Sequence, residues 1–231
     1  MLKAVILAGG RGERLRPLTD NLPKPMVDIK GRPFLEHQIG LLKKSGISEI
    51  LLCVGYLKES IIDHFQDGSQ LGVKIEYSIE EEPAGTGGAL IIAKDLLPEE
   101  FFLFNGDSYL PIEYSGLADF WYQCGSYAGV IVCYENTERI AKNNISLDSA
   151  GCVSEYDKRS QKKNLRYVDA GVSIFKKEIL EMIPAGRVVS IEEEIFPLLI
   201  KEKRLIGYPT SQRYYDMGTP DRLREIEGAL K

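Results

Sequence analysis

A stretch near the start of the chain combines glycine with basic residues in a pattern that suits phosphate chemistry. It runs from Leu7 to Thr19, with the sequence LAGGRGERLRPLT, and Pro23-Lys24-Pro25 follows it. Glycine has no Cβ, so backbone N–H groups in such a turn can approach phosphate oxygens closely. Arginine and lysine side chains can then neutralise the charge of that group. The stretch predicts a phosphate-binding turn, and a solvated glycine-rich surface turn is the alternative interpretation.

The elements around this turn are predicted from the alternation of short apolar runs with helical patterns. Strands are expected at Lys3–Ala8, Glu49–Val54, Val73–Ser78 and Phe101–Phe104. Helices are expected at Pro33–Gly46, around Lys58–Phe65 and at Thr86–Leu96. Such alternation is typical of βαβ units, and nearly continuous apolar strands indicate a sheet covered on both faces. We therefore predict an α/β fold with a single doubly wound, mostly parallel, Rossmann-like sheet.

The pattern changes in the C-terminal half, after a strand at Ala128–Tyr134. Segments Ile145–Asp148 and Cys152–Lys158 flank a turn that contains glycine, which predicts an antiparallel hairpin inserted in this half. The remaining predicted elements are a strand at Arg166–Phe175, helical segments at Ile179–Ile183 and Ser190–Lys203, strands at Arg204–Tyr208 and Tyr214–Asp216, and a helix from about Pro220.

Two polar segments follow predicted strands directly, namely Leu7–Gly10 and Asn105–Asp107. Ligands of doubly wound sheets bind at the carboxyl ends of the strands. The two segments are therefore expected to meet at one binding edge.

At this point the sequence resembles a known family. The stretch LAGG-x-G-x-RLRPLT with a following PKP is similar to the signature of sugar-1-phosphate nucleotidyltransferases. Four further segments continue the resemblance in the expected order over nearly the whole chain: EEEPAGTGGA at 80–89, NGD at 105–107, VDAG at 168–171 and YDMGTP at 215–220. The resemblance implies transfer of a nucleotidyl group from a nucleoside triphosphate to a sugar 1-phosphate, with Mg²⁺ as cofactor. It also implies one nucleotidyltransferase domain over 1–231, with a nucleotide-binding half at about 1–110 and a sugar-binding half at about 111–231.

The resemblance further assigns roles to individual residues. The catalytic residues would be Arg14 and Lys24. The nucleotide would be bound by Leu7, Ala8, Gly9, Gly10, Glu80, Gly85 and Thr86. The sugar phosphate would be bound by Asn105, Asp157, Lys158, Asp169 and Gly171. The metal ligands would be Asp107 and Asp216, and two aspartates from distant strands can indeed hold one magnesium ion, with phosphates and water completing the octahedron.

Plainer interpretations stand beside these roles. An aspartate after a strand is often a turn or cap residue, and Asp157-Lys158 could be a solvated hairpin end. Departures from the family pattern lie mainly on the sugar side: Asp157 and Asp169 replace a glutamate and an asparagine, and Asn143-Asn144 replaces Tyr-Gly. Asparagine tolerates the left-handed backbone that glycine supplies, so that conformation is expected there. Glu13 is expected to point away from the phosphates.

The base is predicted from Glu80, since a carboxylate can accept both N1–H and N2–H of guanine. The EEEPxGTGGA segment also looks like the guanylyltransferases for mannose 1-phosphate and heptose 1-phosphate. GTP is therefore favoured, and heptose 1-phosphate or mannose 1-phosphate is expected as acceptor, for surface-polysaccharide precursors. Uridylyl or thymidylyl transfer to another sugar 1-phosphate is an alternative. A nucleotide-sugar-dependent glycosyltransferase and a non-catalytic nucleotide-sugar-binding relative are rivals from other classes.

Composition narrows the remaining choices. The 231 residues include 29 Lys and Arg against 34 Asp and Glu, a net charge of −5, which argues against a nucleic-acid partner. The four cysteines are scattered without a CxxC pair, which fits a reduced, cytoplasmic setting. The short apolar run at the N-terminus predicts neither a signal peptide nor a membrane span. Composition does not predict the oligomeric state.

Overall fold

The computed structural model describes residues 2–159 and 161–230. The strands are β1 Lys3–Leu7, β2 Asp28–Ile29, β3 Arg32–Pro33, β4 Glu49–Val54, β5 Lys74–Ile79, β6 Glu100–Asn105, β7 Ser108–Tyr109, β8 Gly129–Tyr134, β9 Ile145–Leu147, β10 Val153–Tyr156, β11 Val168–Lys176, β12 Leu205–Thr210 and β13 Tyr215–Asp216. The α-helices are α1 Phe34–Lys44, α2 Lys58–Phe65, α3 Gly85–Ile92, α4 Tyr114–Cys124, α5 Phe196–Lys201 and α6 Pro220–Ala229. Short 3₁₀ helices lie at Glu13–Leu15, Lys24–Met26, Ser69–Leu71, Lys94–Leu96 and Lys177–Met182, and a π-helical turn lies at Ile191–Ile195.

A seven-stranded sheet organises the molecule, in the order β12-β8-β11-β6-β1-β4-β5. Strand β1 pairs in parallel with β4 on one side and β6 on the other. Strand β11 is antiparallel to both of its neighbours, whereas the other pairs in the sheet are parallel. The predicted α/β fold with a mostly parallel sheet is therefore confirmed. The chain crosses from β5 back to β6, so the switch in strand order falls between β1 and β6.

The sheet is doubly wound because both of its faces are apolar. In β1, Ala4 and Ile6 belong to one core cluster and Val5 belongs to the other, and all three are fully buried. The first cluster receives side chains from α1, α2 and α4, and the second receives them from α3 and α5. A third, smaller cluster packs α6 against Leu15 and Phe34, which anchors the C-terminal helix beside the N-terminal glycine turn.

Small two-stranded antiparallel sheets accompany the main sheet. Strands β9 and β10 form the predicted hairpin in the C-terminal half, and this prediction is confirmed. Strands β7 and β13 form a second pair, with Asp216 opposite Ser108, which no local pattern had predicted.

Several local predictions need adjustment. The segment predicted as one helix at Ser190–Lys203 is a π-helical turn followed by α5. Helix α4 has no counterpart among the predicted elements, although its buried residues Tyr114, Leu117, Ala118 and Trp121 have helical spacing. All four cysteines are free, and Cys53, Cys133 and Cys152 are buried as packing residues. No helix in the described part of the chain has the length and apolar character needed to cross a membrane.

The antiparallel strand β11 supplies a test of the packing. Phe175 is fully buried, and its ring lies over Gly129 of β8, where an added Cβ would be 2.4 Å from the ring. Phe175→Ala is expected to lower the free energy of unfolding by about 3–5 kcal/mol, because it removes a fully buried aromatic side chain and leaves a cavity in the core. Tyr122→Ala, at an aromatic side chain that is 58% exposed on α4, is the control and should change it by about 0.5 kcal/mol or less. Urea denaturation measures both, and equal small losses would contradict this account of the core.

Candidate active site

A cleft of about 810 Å³ lies at the carboxyl ends of the central strands. Register places it there, because Leu7 at the end of β1 pairs with Asn105 at the end of β6. The Gly106 amide donates to the Leu7 carbonyl at 3.0 Å, which brings the two chain segments together. The predicted site residues that line the cleft are Leu7, Ala8, Gly9, Gly10, Arg14, Lys24, Glu80, Gly85, Thr86, Asn105 and Asp107. The two segments predicted to meet at one edge do so.

The glycine turn folds back on its own continuation. Gly12 has φ +64°, and an added Cβ there would lie 3.0 Å from the Lys24 and Thr19 side chains. The Thr19 hydroxyl donates to the Gly12 carbonyl at 2.9 Å, which closes the loop. Glycine is required at this position because both the backbone conformation and the space exclude a side chain. The turn therefore carries Lys24 into the cleft.

Lys24 and Asp107 form an ion pair across the cleft floor. The two residues are 83 positions apart in the chain, and Lys24 is buried. Its backbone belongs to the short 3₁₀ helix after Pro23, whereas Asp107 follows β6. Taking an ammonium group out of water is costly unless it has an anionic partner. The Asp107 carboxylate supplies that partner.

Asp216 reaches the same place through the β7–β13 pair. The Met217 amide donates to the Asp107 carbonyl at 3.0 Å, and Asp216 lies opposite Ser108. The Asp216 carboxylate accepts from the Gly218 amide at 2.7 Å and forms an ion pair with Arg222. Burial raises the pKa of Asp216, against the opposing effect of Arg222, and the negative charge of Asp107 raises it further.

The two aspartates fit a hard divalent cation. Carboxylate oxygens are the ligands that Mg²⁺ takes in proteins, usually one or two of them together with phosphate and water oxygens. Within residues 2–159 and 161–230, no group of three or more His, Cys, Asp or Glu side chains is arranged to hold a metal. The candidate donor set is therefore the pair Asp107 and Asp216, each of which also has a cationic side chain beside it.

Arg14 joins the N-terminal turn to this C-terminal segment. It lies in the 3₁₀ helix Glu13–Leu15 and is exposed at the cleft. Its Nη1 atom is 3.5 Å from the position that an added Cβ on Gly218 would occupy. Glu13 also lines the cleft and is exposed, and the expectation that its side chain points away from the phosphates stays a prediction. Because Glu13 is exposed to water, its charge is largely screened.

Glu80 lies beside two glycines at the ends of β1 and β4. Its Oε1 atom would be 3.4 Å from a Cβ on Gly9 and 3.2 Å from one on Gly55. Burial raises the pKa of Glu80, although a hydrogen bond from the Ala84 amide opposes the shift. The carboxylate is thus held close against backbone that has no side chains, at the side of the cleft where α3 begins.

The start of α3 is fixed by contacts with the segment before α5. Gly85 has φ +77°, and a Cβ there would lie 2.5 Å from the Val189 carbonyl oxygen. Thr86 donates its hydroxyl hydrogen to Glu192 at 2.9 Å and accepts from the Ile191 amide at 2.9 Å. The Thr86 hydroxyl is therefore committed to protein partners, even though the residue lines the cleft.

Gly171 and Asp169 lie behind Asn105. Gly171 has φ +74°, and a Cβ there would be 2.6 Å from the Ser108 hydroxyl and 3.1 Å from the Asn105 amide nitrogen. The Asp169 carboxylate accepts from the Gly171 amide and from the Tyr156 hydroxyl, both at 2.9 Å. Burial raises the pKa of Asp169 to about 6, since these donors offset only part of the lost hydration.

The two residues of the predicted pair Asp157-Lys158 bond to different parts of the chain. The Asp157 carboxylate accepts from the backbone amides of Arg159, Gln161 and Lys162 at 3.1, 2.7 and 2.8 Å. These bonds match the plainer interpretation of a turn residue, and neither Asp157 nor Lys158 is among the residues that line the cleft. Lys158 instead donates to the Ser190 hydroxyl at 3.0 Å and to Glu192 at 3.2 Å.

Asn143 and Asn144 do not have the expected left-handed backbone, because neither is among the residues with positive φ. Their side-chain amides act instead. The Asn144 carbonyl oxygen accepts from the Asp169 amide at 2.8 Å, and the Asn143 amide donates to the Leu165 carbonyl at 2.9 Å. Asparagine at these positions therefore ties the chain before β9 to the start of β11.

Glu192 lines the cleft and was not predicted as a site residue. Burial disfavours its ionised form, but Lys158 and Ser190 outweigh this effect and lower its pKa. The sequence Ser-Ile-Glu-Glu-Glu at 190–194 gave no signal that one glutamate differs from the next two.

This geometry has counterparts among known proteins. The family model described as nucleotidyl transferase matches residues 3–231. Mannose-1-phosphate guanylyltransferase from Mycobacterium tuberculosis is 34% identical over 221 residues, covering 94% of this chain and 61% of that protein. The chain thus spans 61% of the length of this curated relative. A crystal structure of HddC from Yersinia pseudotuberculosis is 28% identical with a TM-score of 0.84 and covers 100% of both chains. HddC complexed with GMP-PN has a TM-score of 0.82 at the same identity and coverage.

The Asp169 carboxyl predicts a pH dependence of stability. Its pKa rises from 3.8 to about 6 on folding, so its contribution is fully present below about pH 4 and is lost as pH rises through 6. Asp169→Asn removes the ionised form. The change that it causes in the free energy of unfolding should therefore be about 2–3 kcal/mol more favourable to the folded state at pH 7.5 than at pH 4. Urea denaturation of both proteins from pH 4 to 8 measures the difference. Asp119→Asn on α4 controls for the loss of one carboxylate, and a pH-independent effect of Asp169→Asn would contradict the assignment.

Proposed function

The chain belongs to the nucleotidyl transferase family, and on that premise we propose that it transfers a nucleotidyl group from a nucleoside triphosphate to a sugar 1-phosphate. The products are a nucleotide-sugar and pyrophosphate. One observation carries the proposal: the glycine turn, Lys24, Asp107 and Asp216 come from distant parts of the chain and converge at one edge of the sheet. This edge is where doubly wound sheets bind their ligands.

The residues suit a reaction between two anions. An oxygen of the sugar phosphate attacks the α-phosphorus, a new P–O bond forms, and the bond from the α-phosphorus to the bridging oxygen of pyrophosphate breaks. The attacking oxygen is already deprotonated at neutral pH, so positioning and charge neutralisation matter more than a general base. Backbone N–H groups of the glycine turn would bind phosphate oxygens. Arg14 and Lys24 are the cations that would neutralise the triphosphate, and Lys24 would exchange Asp107 for a phosphate oxygen.

Asp107 and Asp216 are the residues that would hold Mg²⁺. When bound, the ion would neutralise phosphate charge and orient the reacting groups. Support comes from the donor chemistry of the two carboxylates and from their placement, since Asp107 directly precedes β7 and Asp216 lies on β13, which pairs with β7. The cations Lys24 and Arg222 balance their charge without a ligand.

GTP is the proposed nucleotide donor. Glu80 supports this choice, since its carboxylate lies beside Gly9 and Gly55, where no side chain separates it from the cleft. A carboxylate can accept two hydrogen bonds from guanine, which uracil cannot supply. The guanylyltransferase name of the mycobacterial relative and the GMP-PN complex of HddC agree with guanine.

Mannose 1-phosphate or heptose 1-phosphate is the proposed acceptor, as a precursor of surface polysaccharide, in the cytoplasm. Asn105, at the end of β6, would lie at the sugar together with Asp169 and Gly171, which belong to the half of the domain that follows residue 110. Because the Asp157 carboxylate is engaged by backbone amides of its own loop, the contact with the sugar phosphate falls to Lys158.

The ion pair at the cleft floor gives the first functional test. Lys24→Met and Asp107→Asn should each reduce kcat/KM for nucleotide-sugar formation by about 10²–10³-fold, because each removes a charge that acts on the phosphates. Pyrophosphate release from GTP and mannose 1-phosphate is the readout. Asp119→Asn, an exposed aspartate on α4, is the control for Asp107→Asn and should leave turnover unchanged. Near-normal turnover of either cleft variant, with native circular dichroism, would remove these residues from the mechanism.

Base selectivity gives the second functional test. With the four nucleoside triphosphates in turn, GTP should give the highest kcat/KM. Glu80→Gln should reduce the preference for GTP over UTP by about tenfold, because one charge-assisted acceptor is lost. Glu81→Gln is the matched control, since the Glu81 side chain is 79% exposed and pairs with Lys58. Preference of the wild-type chain for UTP or dTTP would refute the guanine assignment.

A further inference from the structure

Glu192 occupies an unusual position for a carboxylate in a cleft that is proposed to bind anions. It lies in the π-helical turn before α5, lines the cleft, and has a side chain that is only 14% exposed. An unpaired carboxylate there would repel both substrates. The residue must therefore be compensated by its surroundings, and the compensation indicates what it does.

Three donors converge on a single oxygen of Glu192. Its Oε2 atom accepts from the Thr86 hydroxyl at 2.9 Å, the Ser190 hydroxyl at 2.7 Å and the Lys158 ammonium at 3.2 Å. Thr86 belongs to α3, whereas Lys158 follows the β9–β10 hairpin. Glu192 therefore connects the nucleotide side of the cleft to the hairpin.

The orientation of this oxygen is set from the nucleotide side. The Thr86 hydroxyl has one hydrogen, and it donates that hydrogen to Glu192 while it accepts from the Ile191 amide. Ser190 likewise donates to Glu192 and accepts from the Lys158 ammonium and the Glu193 amide. Both hydroxyl groups are thus locked by backbone and side-chain partners, which leaves the carboxylate little freedom to rotate.

Lys158 is the exposed member of the group. Its side chain is 44% exposed, and its ammonium donates to Ser190 and Glu192. An ammonium group has three hydrogens, and within the described residues the third has no partner. A lysine ammonium that donates two of its three hydrogens can bind a single further acceptor.

The two following glutamates pair differently. Glu193 pairs with Arg159 at 3.5 Å and Glu194 with Arg187 at 2.6 Å, and neither glutamate lines the cleft. Their side chains are 44% and 35% exposed, so these pairs contribute little on their own. They provide matched controls, since the three glutamates are consecutive in one turn.

We infer that Glu192 is a positioning residue that holds the Lys158 ammonium toward the sugar phosphate, anchored by Thr86 and Ser190. The inference rests on the proposed function, in which Lys158 contacts the sugar phosphate. Glu192 itself acts through Lys158 and bonds to no reacting atom.

The test compares substrate affinities in variants of the full chain, with GTP and mannose 1-phosphate as probes. Glu192→Gln keeps an acceptor for Thr86 and Ser190 but loses the charge that holds Lys158. It should raise KM for mannose 1-phosphate about tenfold, with kcat and KM for GTP changed about twofold or less. Lys158→Met should raise the same KM at least as much, and the double variant should match Lys158→Met alone, because interacting residues are not additive. Glu193→Gln should leave all constants within about twofold.

Titration calorimetry with mannose 1-phosphate measures the same affinities without turnover. An unchanged KM in Glu192→Gln, an effect confined to kcat, or additive losses in the double variant would each overturn the inference. A chain that binds mannose 1-phosphate but transfers nothing would contradict the proposed function alone. A chain that does not bind mannose 1-phosphate at all would overturn the inference.

Discussion

The contact on which the site depends is the hydrogen bond from the Gly106 amide to the Leu7 carbonyl, 3.0 Å long, where β1 and β6 end. An added Cβ on Gly106 would lie 2.5 Å from that oxygen, so only glycine allows the two segments to approach so closely. Because of this approach, the glycine turn after β1 and Asp107 after β6 share one cleft. Strand β7 continues directly from this point, and its pairing with β13 then brings Asp216 to the same edge. The close backbone contact between Gly106 and Leu7 therefore positions the other segments of the site.

The carboxylates in the cleft are paired with cations. Each carboxylate with a proposed role near the phosphates has a cationic side chain beside it. Asp107 pairs with Lys24, Asp216 with Arg222 and Glu192 with Lys158. Such pairing avoids the cost of a charge that is removed from water without a partner. It also leaves the cations close to where anionic substrates would bind, so that a phosphate can replace a carboxylate as partner. Glu80 differs, since its carboxylate lies beside Gly9 and Gly55, accepts from the Ala84 amide, and has its pKa raised by burial.

Most secondary structure could be predicted because the signals are local. Strand β4 and helix α2 have the predicted bounds, Glu49–Val54 and Lys58–Phe65, since an apolar run and an amphipathic turn pattern each depend only on neighbouring residues. Prediction failed where a residue acts through its side chain on a distant segment. Asn143 and Asn144 suggested a left-handed turn, but their amides bind Leu165 and the Asp169 backbone instead. The π-helical turn at Ile191–Ile195 was expected to be regular helix, and the Ile191 amide donates to Thr86, which lies 105 residues away in the chain.

The amino-acid sequence by itself determined the class of sheet and the position of a glycine-rich turn after its first strand, because these depend on residue type and on short-range spacing. The family resemblance added Asp107 and Asp216 as candidate metal ligands. Only the tertiary structure decided which side chains meet. Asp107 and Asp216 are neighbours because β7 pairs with β13. Glu192 differs from Glu193 and Glu194 because it is the glutamate to which Thr86 and Lys158 donate hydrogen bonds. Asp157 and Lys158 are adjacent in sequence, yet one binds its own loop and the other reaches the cleft wall. The physical reason is that strand pairing and side-chain hydrogen bonds join residues far apart in the chain, and no local pattern encodes their partners.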